Sequence, residues 1–375
     1  MKKIIYCLLI LAVPFQVVAQ KKIIEKLFSD DTTRHNSFLP VPIIGFSQEA
    51  GLQFGAAGIY SFYTDFENKK TKASQIYGVL AFSTKKQLQL SFKADVWAKQ
   101  NDYHYLIETK YYDQPFNFYG TGNIAPLINQ DRLNLKRLRL NAELERKIAN
   151  RLYLGGGVEY ENLVYEDKKI GGIYTTDPTL VDKNGGEFLF FKATSVYDSR
   201  DNISYTSKGL YFKGQFGVAP NFFGSPNYKG TRFTADVRNF YKLNGKLNLG
   251  LNATFESLNS SDPIPFYTLR QLGNDQFMRA YYTGRYRDEN LITSQAELRF
   301  RPIPRFGLVA FGGAGKVYKN GDFDGNSFKP TYGLGARIFF DLEKGLALRI
   351  DYALGDKPTG EKRISGFYLS LGEAF

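Results

Sequence analysis

The chain has 375 residues, of which 43% are hydrophobic and 23% charged, and it contains 26 tyrosines and 32 phenylalanines. This wealth of aromatic residues is typical of membrane β-barrels, which carry aromatic girdles at both interfaces. The formal net charge is +12, but no basic run of the kind that binds nucleic acid is present. The charge therefore favours anionic lipid head groups or acidic sugars as neighbours, and no nucleic-acid partner is predicted.

The first 19 residues have the pattern of a secretory signal peptide. Lys2 and Lys3 precede an apolar run over residues 4–13, and Val17–Ala19 forms a small-residue cleavage site. Its removal lowers the net charge by two, to +10, and removes Cys7, the one cysteine. A disulfide, a thiolate zinc site and a cysteine nucleophile are thereby excluded. The rest of the chain lacks an apolar run of about 18 residues, so we expect any membrane crossing to use strands.

Two further segments follow the signal. Residues 20–39 are polar and predict a short periplasmic tether, too short to hold a folded periplasmic module. Residues 40–375 are predicted to form one outer-membrane β-barrel. Its weakest strand is the first, since Pro40, Pro42 and Gly45 interrupt the ladder there.

Strict alternation of apolar and polar residues predicts the strands. Leu298 and Phe300 share one face of such a segment, and Glu297 and Arg299 share the other. Burying the ionic face in a dry core would be costly, so a lipid-facing exterior and a wet lumen fit both faces. The sixteen predicted strands lie near residues 41–47, 51–64, 73–83, 86–98, 102–112, 131–148, 151–163, 186–197, 207–217, 228–242, 245–256, 292–301, 306–317, 329–341, 345–354 and 363–375.

The connections alternate in length. Tight turns follow the even strands, at residues 148–151, 243–246, 301–305 and 342–345. Long polar stretches follow odd strands, at residues 113–130, 164–185, 218–227, 257–291 and 318–328. This asymmetry is that of an outer-membrane barrel, with both termini on the periplasmic side. The predicted fold is an all-β, transmembrane antiparallel barrel of sixteen strands whose 257–291 loop folds into the lumen.

Several charged residues are candidates for a role inside such a barrel. Arg279 lies near the middle of the long loop, and Glu297 on the lumen wall is a suitable counter-charge. Arg299, Arg337 and Arg349 are predicted to form an ion-pair ladder with Asp351 in the lumen, with a substrate path as the alternative. Asp198, Arg200 and Asp201 are predicted to support a turn through bonds between their side chains and the backbone.

Five motifs together carry a resemblance to a known family. They are Tyr197–Asp201 with Gly209, Gln271–Asn274 with Met278–Tyr281, Ser294–Phe300, Val309–Gly315, and Gly335–Arg337 with Arg349–Tyr352. With these motifs the chain resembles the bacterial outer-membrane assembly and surface-antigen superfamily, which includes BamA- and TamA-type barrels and two-partner secretion pores. The resemblance implies that Arg279 and Tyr281 belong to a loop latch that folds into the lumen, with Glu297 holding the arginine. Phe375, a terminal aromatic after an alternating strand, resembles the export signal that barrel assembly machines read.

The chain departs from the family pattern at two positions. Ala280 replaces the glycine of the loop motif, and Gly313 stands where the family has an aspartate that pairs with the loop arginine. Arg279 is therefore expected to rely on Glu297, with Asp351 as a possible second partner. The family members that insert or translocate proteins also carry periplasmic POTRA modules, which this chain is expected to lack.

Motifs that suggest other chemistry are weak. Gly312–Lys316 is similar to a phosphate loop, but it lies on a strand and lacks the first glycine. Residues 322–326 are similar to a calcium loop, but position twelve is Gly333 instead of glutamate. His35 and His104 have no nucleophile spaced as in a triad. We therefore predict no enzyme activity, no cofactor and no metal site.

Two functions compete at this stage. In the first, the barrel assists the insertion or export of outer-membrane or surface proteins, with a separate periplasmic partner or a second copy replacing the missing modules. An incoming strand would pair at a weak seam between the first and last strands. In the second, the protein is a passive or gated pore or structural barrel without insertase activity. Both require the bacterial outer membrane and its lipids.

Overall fold

The structure is a computed structural model that describes residues 33–47, 51–168, 171–224 and 227–375. The predicted signal peptide, Cys7 and residues 20–32 of the predicted tether lie outside the described residues. Eighteen strands follow in the described part of the chain. They are β1 Ser37–Ser47, β2 Gly51–Phe62, β3 Ser74–Ser83, β4 Leu88–Trp97, β5 Tyr103–Phe118, β6 Asp131–Ala149, β7 Leu152–Asp167, β8 Gly185–Asp198, β9 Gly209–Ala219, β10 Gly230–Lys242, β11 Leu247–Asn259, β12 Arg270–Gln271, β13 Arg287–Asp288, β14 Asn290–Ile303, β15 Phe306–Tyr318, β16 Lys329–Asp341, β17 Leu346–Leu354 and β18 Ser365–Leu371.

Sixteen of these strands form one antiparallel sheet in chain order, and β12 and β13 pair separately inside the long loop between β11 and β14. The predicted all-β antiparallel fold is confirmed, and each predicted strand has a counterpart. Two ends differ from the prediction. β1 begins at Ser37, inside the range assigned to the tether, and β18 ends at Leu371, four residues before the end of the chain.

The two faces of the sheet differ in polarity as the alternation predicts. On β14, Leu298 is 41% exposed, whereas Glu297 and Arg299 are buried. On β17, Tyr352 is exposed and Asp351 is buried. The sheet curves so that the charged face surrounds an interior space, called the lumen below, and the apolar face points outward. This arrangement suits lipid outside and polar contacts inside.

A seam separates the first and last strands. Backbone ladders join each strand of the sheet to the next from β1 to β18, and the described residues carry no ladder between β1 and β18. These two strands nevertheless lie side by side. Pro40 and Pro42 lack N–H donors, and the pairing of β1 with β2 continues through both positions. Since alternate residues direct their N–H groups to the same side, the missing donors fall on the edge that faces β18.

From β5 onward the connections alternate in length as predicted, except for the one after β8. Two connections on the short-turn side, after β2 and after β8, are longer than the tight turns predicted for that side. Residues 63–73, after β2, cross the end of the lumen: the Tyr63 hydroxyl donates to Glu343 (2.5 Å), and Lys72 pairs with Asp198 (2.6 Å). Residues 199–208 form the second exception.

Among the described residues, no helix is both long and apolar enough to cross a bilayer.

Candidate functional site

Arg279 lies at the centre of the lumenal charges. Its guanidinium is completely buried, and its two Nη atoms each pair with a different carboxylate, Glu297 on β14 and Asp351 on β17, both at 2.6 Å. The Arg279 Cζ also lies 3.5 Å from the ring centroid of Phe311 on β15. Charge-assisted hydrogen bonds of this length are strong, and the aromatic face adds a cation–π contact. The loop is thus joined to three wall strands through one side chain.

Glycines on the neighbouring strands make room for this arrangement. A Cβ at Gly313 would lie 2.5 Å from the carbonyl oxygen of Ser294, so an aspartate does not fit there without a backbone shift. Gly335 is the register partner of Asp351, and a Cβ on it would collide with the Asp351 carboxylate. The carboxylate missing at position 313 is therefore replaced by one from β17. Asp351, expected only as a possible second partner, contacts Arg279 directly.

The tip of the loop keeps a glycine-like backbone although it contains no glycine. Met278 has φ +55° and Ala280 has φ +92°. The strained turn is held on both sides: the Ala280 amide donates to the Tyr368 hydroxyl (3.1 Å), and the Thr331 hydroxyl donates to the carbonyl of Arg279. A positive φ in a residue with a side chain costs about 1–3 kcal/mol, which the surrounding contacts have to offset.

Tyr281, the other predicted loop residue, anchors the same segment. Its hydroxyl donates to the carbonyl of Pro330 (2.6 Å) and accepts from the amide of Asp356 (2.9 Å). Burial raises the pKa of the Tyr281 phenol, which keeps the hydroxyl in its donating form. Tyr281 thereby ties the loop to β16 and to the segment that follows β17.

The three predicted lumenal arginines extend the network, each through a carboxylate. Arg299 bonds to Glu297 (2.8 Å), and Arg337 bonds to Asp351 (2.6 Å). Two partners were missed by the sequence reasoning: Glu373 pairs with Arg337 (2.7 Å), and Asp275 pairs with Arg349 (2.7 Å). Both lie in segments without periodicity, the tail and the loop, where no pattern signals a lumenal position.

The end of the chain does not follow the prediction for the last strand. The alternation predicts Phe375 on the same face as Phe367 at the end of β18. Instead the chain leaves the sheet after Leu371, with φ +79° at Gly372, and Phe375 is buried in the lumen. Its ring lies 6.0 Å from that of Phe240, and its carbonyl accepts from Arg299 (2.9 Å). A strand-end position for Phe375 is therefore wrong, because the tail finds apolar and charged partners inside.

The predicted turn has the expected bonds between side chains and backbone. Asp198 accepts from the amide of Arg200 (3.1 Å) and from its guanidinium, and Asp201 accepts from the amides of residues 202, 207 and 208. Gly209 has φ +117°, and a Cβ there would meet the carbonyl of Ser199. These residues lie at the short-turn end of the barrel, away from Arg279, and Asp198 pairs with Lys72.

A second lumenal charge network lies on β6 to β10. Lys192 and Lys213 both reach Glu143 (2.6 and 2.7 Å), and Arg232 and Arg139 both reach Glu159 (2.8 and 3.1 Å). The alternation on β6 signals the polar face, but the partners on β8 to β10 depend on register. A cavity of about 580 Å³ separates this wall from the loop and from the tail.

The segment that is similar to a calcium loop already contacts a cationic side chain. The Lys316 ammonium donates to the Asp324 carboxylate and to the carbonyl of Asn326 (2.9 Å).

A curved antiparallel sheet with an apolar exterior and a charged interior defines the chain as a membrane β-barrel protein. The Omp85 superfamily domain matches residues 67–375. The chain belongs to this family, and the resemblance given by the sequence motifs is confirmed. It is thus an outer-membrane barrel of the assembly or translocation type.

Solved structures show the same fold at low sequence identity. BamA from Haemophilus ducreyi lacking POTRA domains 1-3 has a TM-score of 0.57 and 11% identity, over 90% of this chain and 70% of that one. CdiB from Acinetobacter baumannii has a TM-score of 0.56 and 13% identity, over 90% and 59%. CdiB from Escherichia coli has a TM-score of 0.58 and 10% identity, over 90% and 62%. The chain spans less than two thirds of either CdiB. No curated protein sequence matches it significantly.

Replacing Arg279 by alanine is expected to lower the free energy of unfolding by about 3–5 kcal/mol, because it leaves the carboxylates of Glu297 and Asp351 buried without their shared partner. Denaturant unfolding in detergent micelles measures the change. Arg270→Ala is the matched control, since Arg270 lies on the same loop but pairs with a partly exposed Glu256 (3.1 Å). An equal loss of unfolding free energy in the two variants would contradict the expected contribution of the buried ion pairs of Arg279.

Replacing Ala280 by glycine is expected to stabilise the protein by about 1 kcal/mol, because glycine adopts φ +92° without steric strain. The same unfolding measurement detects the gain. Ala296→Gly on β14 serves as control and is expected to destabilise, since glycine in a strand has only an entropic cost. A loss of stability in Ala280→Gly would show that the turn is not strained.

Proposed function

We propose that this barrel assists the insertion or export of outer-membrane or surface proteins, without enzymatic chemistry of its own. The observation that carries the proposal is the seam: β1 and β18 adjoin without a backbone ladder. An edge strand with unpaired N–H and C=O groups is a template for an incoming strand. Clients would be β-strand-forming outer-membrane or secreted chains. A separate periplasmic partner or a second copy would deliver them.

The weak edge of β1 supports a strand-exchange mechanism. Pro40 and Pro42 remove two donors from the edge that faces β18, so a closed seam would lack two of the hydrogen bonds that a full ladder provides. A client strand that pairs with β18 instead of β1 would replace few bonds. The seam can therefore open without the cost of breaking a full ladder.

The loop supports the same role by fixing the other side of the seam. Three of its contacts fall on the last two strands: Arg279 with Asp351 on β17, the Ala280 amide with Tyr368 on β18, and Asp275 with Ser370 on β18 (2.8 Å). In this proposal the loop latch keeps β18 in place as a template while β1 separates from it. The predicted loop latch would thus hold β18, the edge strand that pairs with the client strand.

Locking the seam is expected to abolish client assembly. Cysteine pairs are placed along β1 (residues 37–47) and β18 (residues 365–371), and the pair that oxidises spontaneously is used; the mature chain is predicted to have no other thiol. Client folding into liposomes that contain the barrel is then followed by protease protection. Activity should be lost on oxidation and return on reduction.

The control disulfide joins Leu39 of β1 to Ile59 of β2, which are register partners in an existing ladder. It should leave client assembly unchanged. Unaltered assembly with the seam locked would remove the insertion role from the proposal.

The alternative function is a passive or gated pore. The cavity of about 580 Å³ between loop and wall favours it, since this space is already polar and lies along the lumen. In this reading the loop and the tail would narrow the path, and their displacement would open it. Ion conductance distinguishes the two functions because a locked seam leaves conduction intact.

Shortening the loop is expected to raise single-channel conductance in planar bilayers several-fold, because it clears the lumen. Gln271 and Arg287 are register partners, so residues 272–286 can be replaced by a two-residue Asn-Gly turn that continues the β12–β13 hairpin. Arg279→Ala is the comparison that loosens the loop without removing it. Conductance equal to that of the unaltered protein would count against a lumen narrowed by this loop.

A further inference from the structure

Arg287 is a buried cation that has no carboxylate partner in the part of the chain that the structure describes. It lies on β13 within the long loop and is 1% exposed. Its Nε donates to the carbonyl of Gly284 (3.0 Å), and its Nη1 atom has no hydrogen-bond partner among the described residues. Every other fully buried arginine of the described chain has a carboxylate within 4 Å, namely Arg279, Arg299, Arg337 and Arg349.

The surroundings of Arg287 do not supply the missing negative charge. Its Cζ lies 5.1 Å from the ring centroid of Phe118 and 5.7 Å from that of Phe116. Burial lowers the pKa of the Arg287 guanidinium, and only tyrosine hydroxyls act in the opposite direction. A buried ion without a counter-ion costs several kcal/mol, so a fixed Arg287 calls for an anion from outside the chain.

The backbone holds Arg287 in this position. The amide of Gly122 donates to its carbonyl (2.7 Å), and Gln271 is its register partner on β12. Gly284 has φ +80°, and a Cβ there would lie 2.6 Å from Nη2 of Arg287. The loop thus leaves space for the guanidinium instead of filling it.

Arg287 lines a cavity of about 210 Å³ between the loop and the inner faces of β5 to β7. The other cations on its wall are Lys110, Arg137 and Arg139, and the lining contains no aspartate or glutamate from the described segments. Neutral amide and hydroxyl side chains complete the lining, among them Tyr112, Gln114, Tyr165, Tyr267 and Gln271.

The three wall cations already pair with carboxylates that are not part of the cavity lining, so the excess charge of the cavity is that of Arg287. Arg137 bonds to Glu161 through two nitrogens (2.7 and 2.9 Å), Arg139 reaches Glu159 (3.1 Å), and Lys110 pairs with Glu108. The cavity therefore combines the guanidinium of Arg287 with three cationic side chains that are already paired and with several N–H and O–H donors.

We propose that this cavity binds a phosphate group, which joins Arg287 of the loop to the cationic wall of β5 and β6. A guanidinium presents planar N–H donors that match the oxygens of a phosphate, and neutral amide and hydroxyl donors fill the remaining acceptor positions. The volume suits a single phosphate or a small phosphate monoester. The source is either free phosphate or the head group of a phospholipid.

The test uses the purified full-length protein in detergent, with thermal unfolding followed at constant ionic strength. Inorganic phosphate is expected to raise the unfolding temperature relative to chloride, by the linkage between ligand binding and folding. Arg287→Gln is expected to weaken phosphate binding about tenfold or more, the loss that follows from removing a charge-assisted hydrogen bond. Arg270→Gln is the control, because Arg270 lies on the same loop outside this cavity, and it should leave phosphate binding unchanged.

The behaviour without phosphate separates binding from a purely structural role. Arg287→Gln removes an uncompensated charge, so in chloride it should be at least as stable as the unaltered protein, whereas a structural arginine would cause a loss. Lys110→Gln, on a partly exposed wall residue, gives a second variant that should also weaken phosphate binding. A phosphate response that persists in both variants overturns the proposal.

Short-chain phosphatidic acid in the micelle, compared with phosphatidylcholine, distinguishes the two sources. Stabilisation by phosphatidic acid but not by inorganic phosphate assigns the site to a lipid head group. Stabilisation by inorganic phosphate assigns it to the free anion. No response to either probe in the unaltered protein overturns the proposal.

Discussion

The pairing of Arg279 with Glu297 and Asp351 is the interaction on which the rest of the lumen depends. A strand in a lipid bilayer can carry charges only on its inner face, and the inner face of a curved sheet brings those charges close together. They have to neutralise one another, because an unpaired buried ion is far more costly than a paired one. Arg279 enters from the loop and completes this balance between β14 and β17.

Glycines on β15 and β16 explain why the second carboxylate partner of Arg279 comes from β17. Gly313 has no room for a carboxylate, and Gly335 leaves room for the carboxylate of Asp351 from the next strand. The second bond to Arg279 therefore comes from β17, one strand away from the seam. Because Tyr368 and Ser370 of β18 bond to the same loop, the loop and the edge strand have become one hydrogen-bonded unit.

Alternation along the sequence was sufficient to predict the strands and the lumenal side of Glu297, Arg299, Arg337, Arg349 and Asp351, because a period of two fixes which face a residue occupies. It could not give partners across the lumen, since these depend on strand register and on how far the sheet curves. Arg279 was found through its place in the middle of the loop, through Glu297 as a counter-charge on the wall, and through the family motif. Arg287, eight residues further along, lies in an aperiodic segment, and only its burial without a carboxylate marks it.

The tail of the chain falls outside the alternation for a related reason. Phe375 continues the apolar pattern of β18, so its sequence predicts a strand, but Gly372 allows the chain to turn inward, and Glu373 then finds Arg337. Once inside, the ring packs on Phe240 and the carbonyl binds Arg299, contacts that a lipid-facing position would not offer. The tail residues can therefore contact either the lipid or the partners inside the lumen. Because Gly372 allows the chain to turn, they pack inside the lumen.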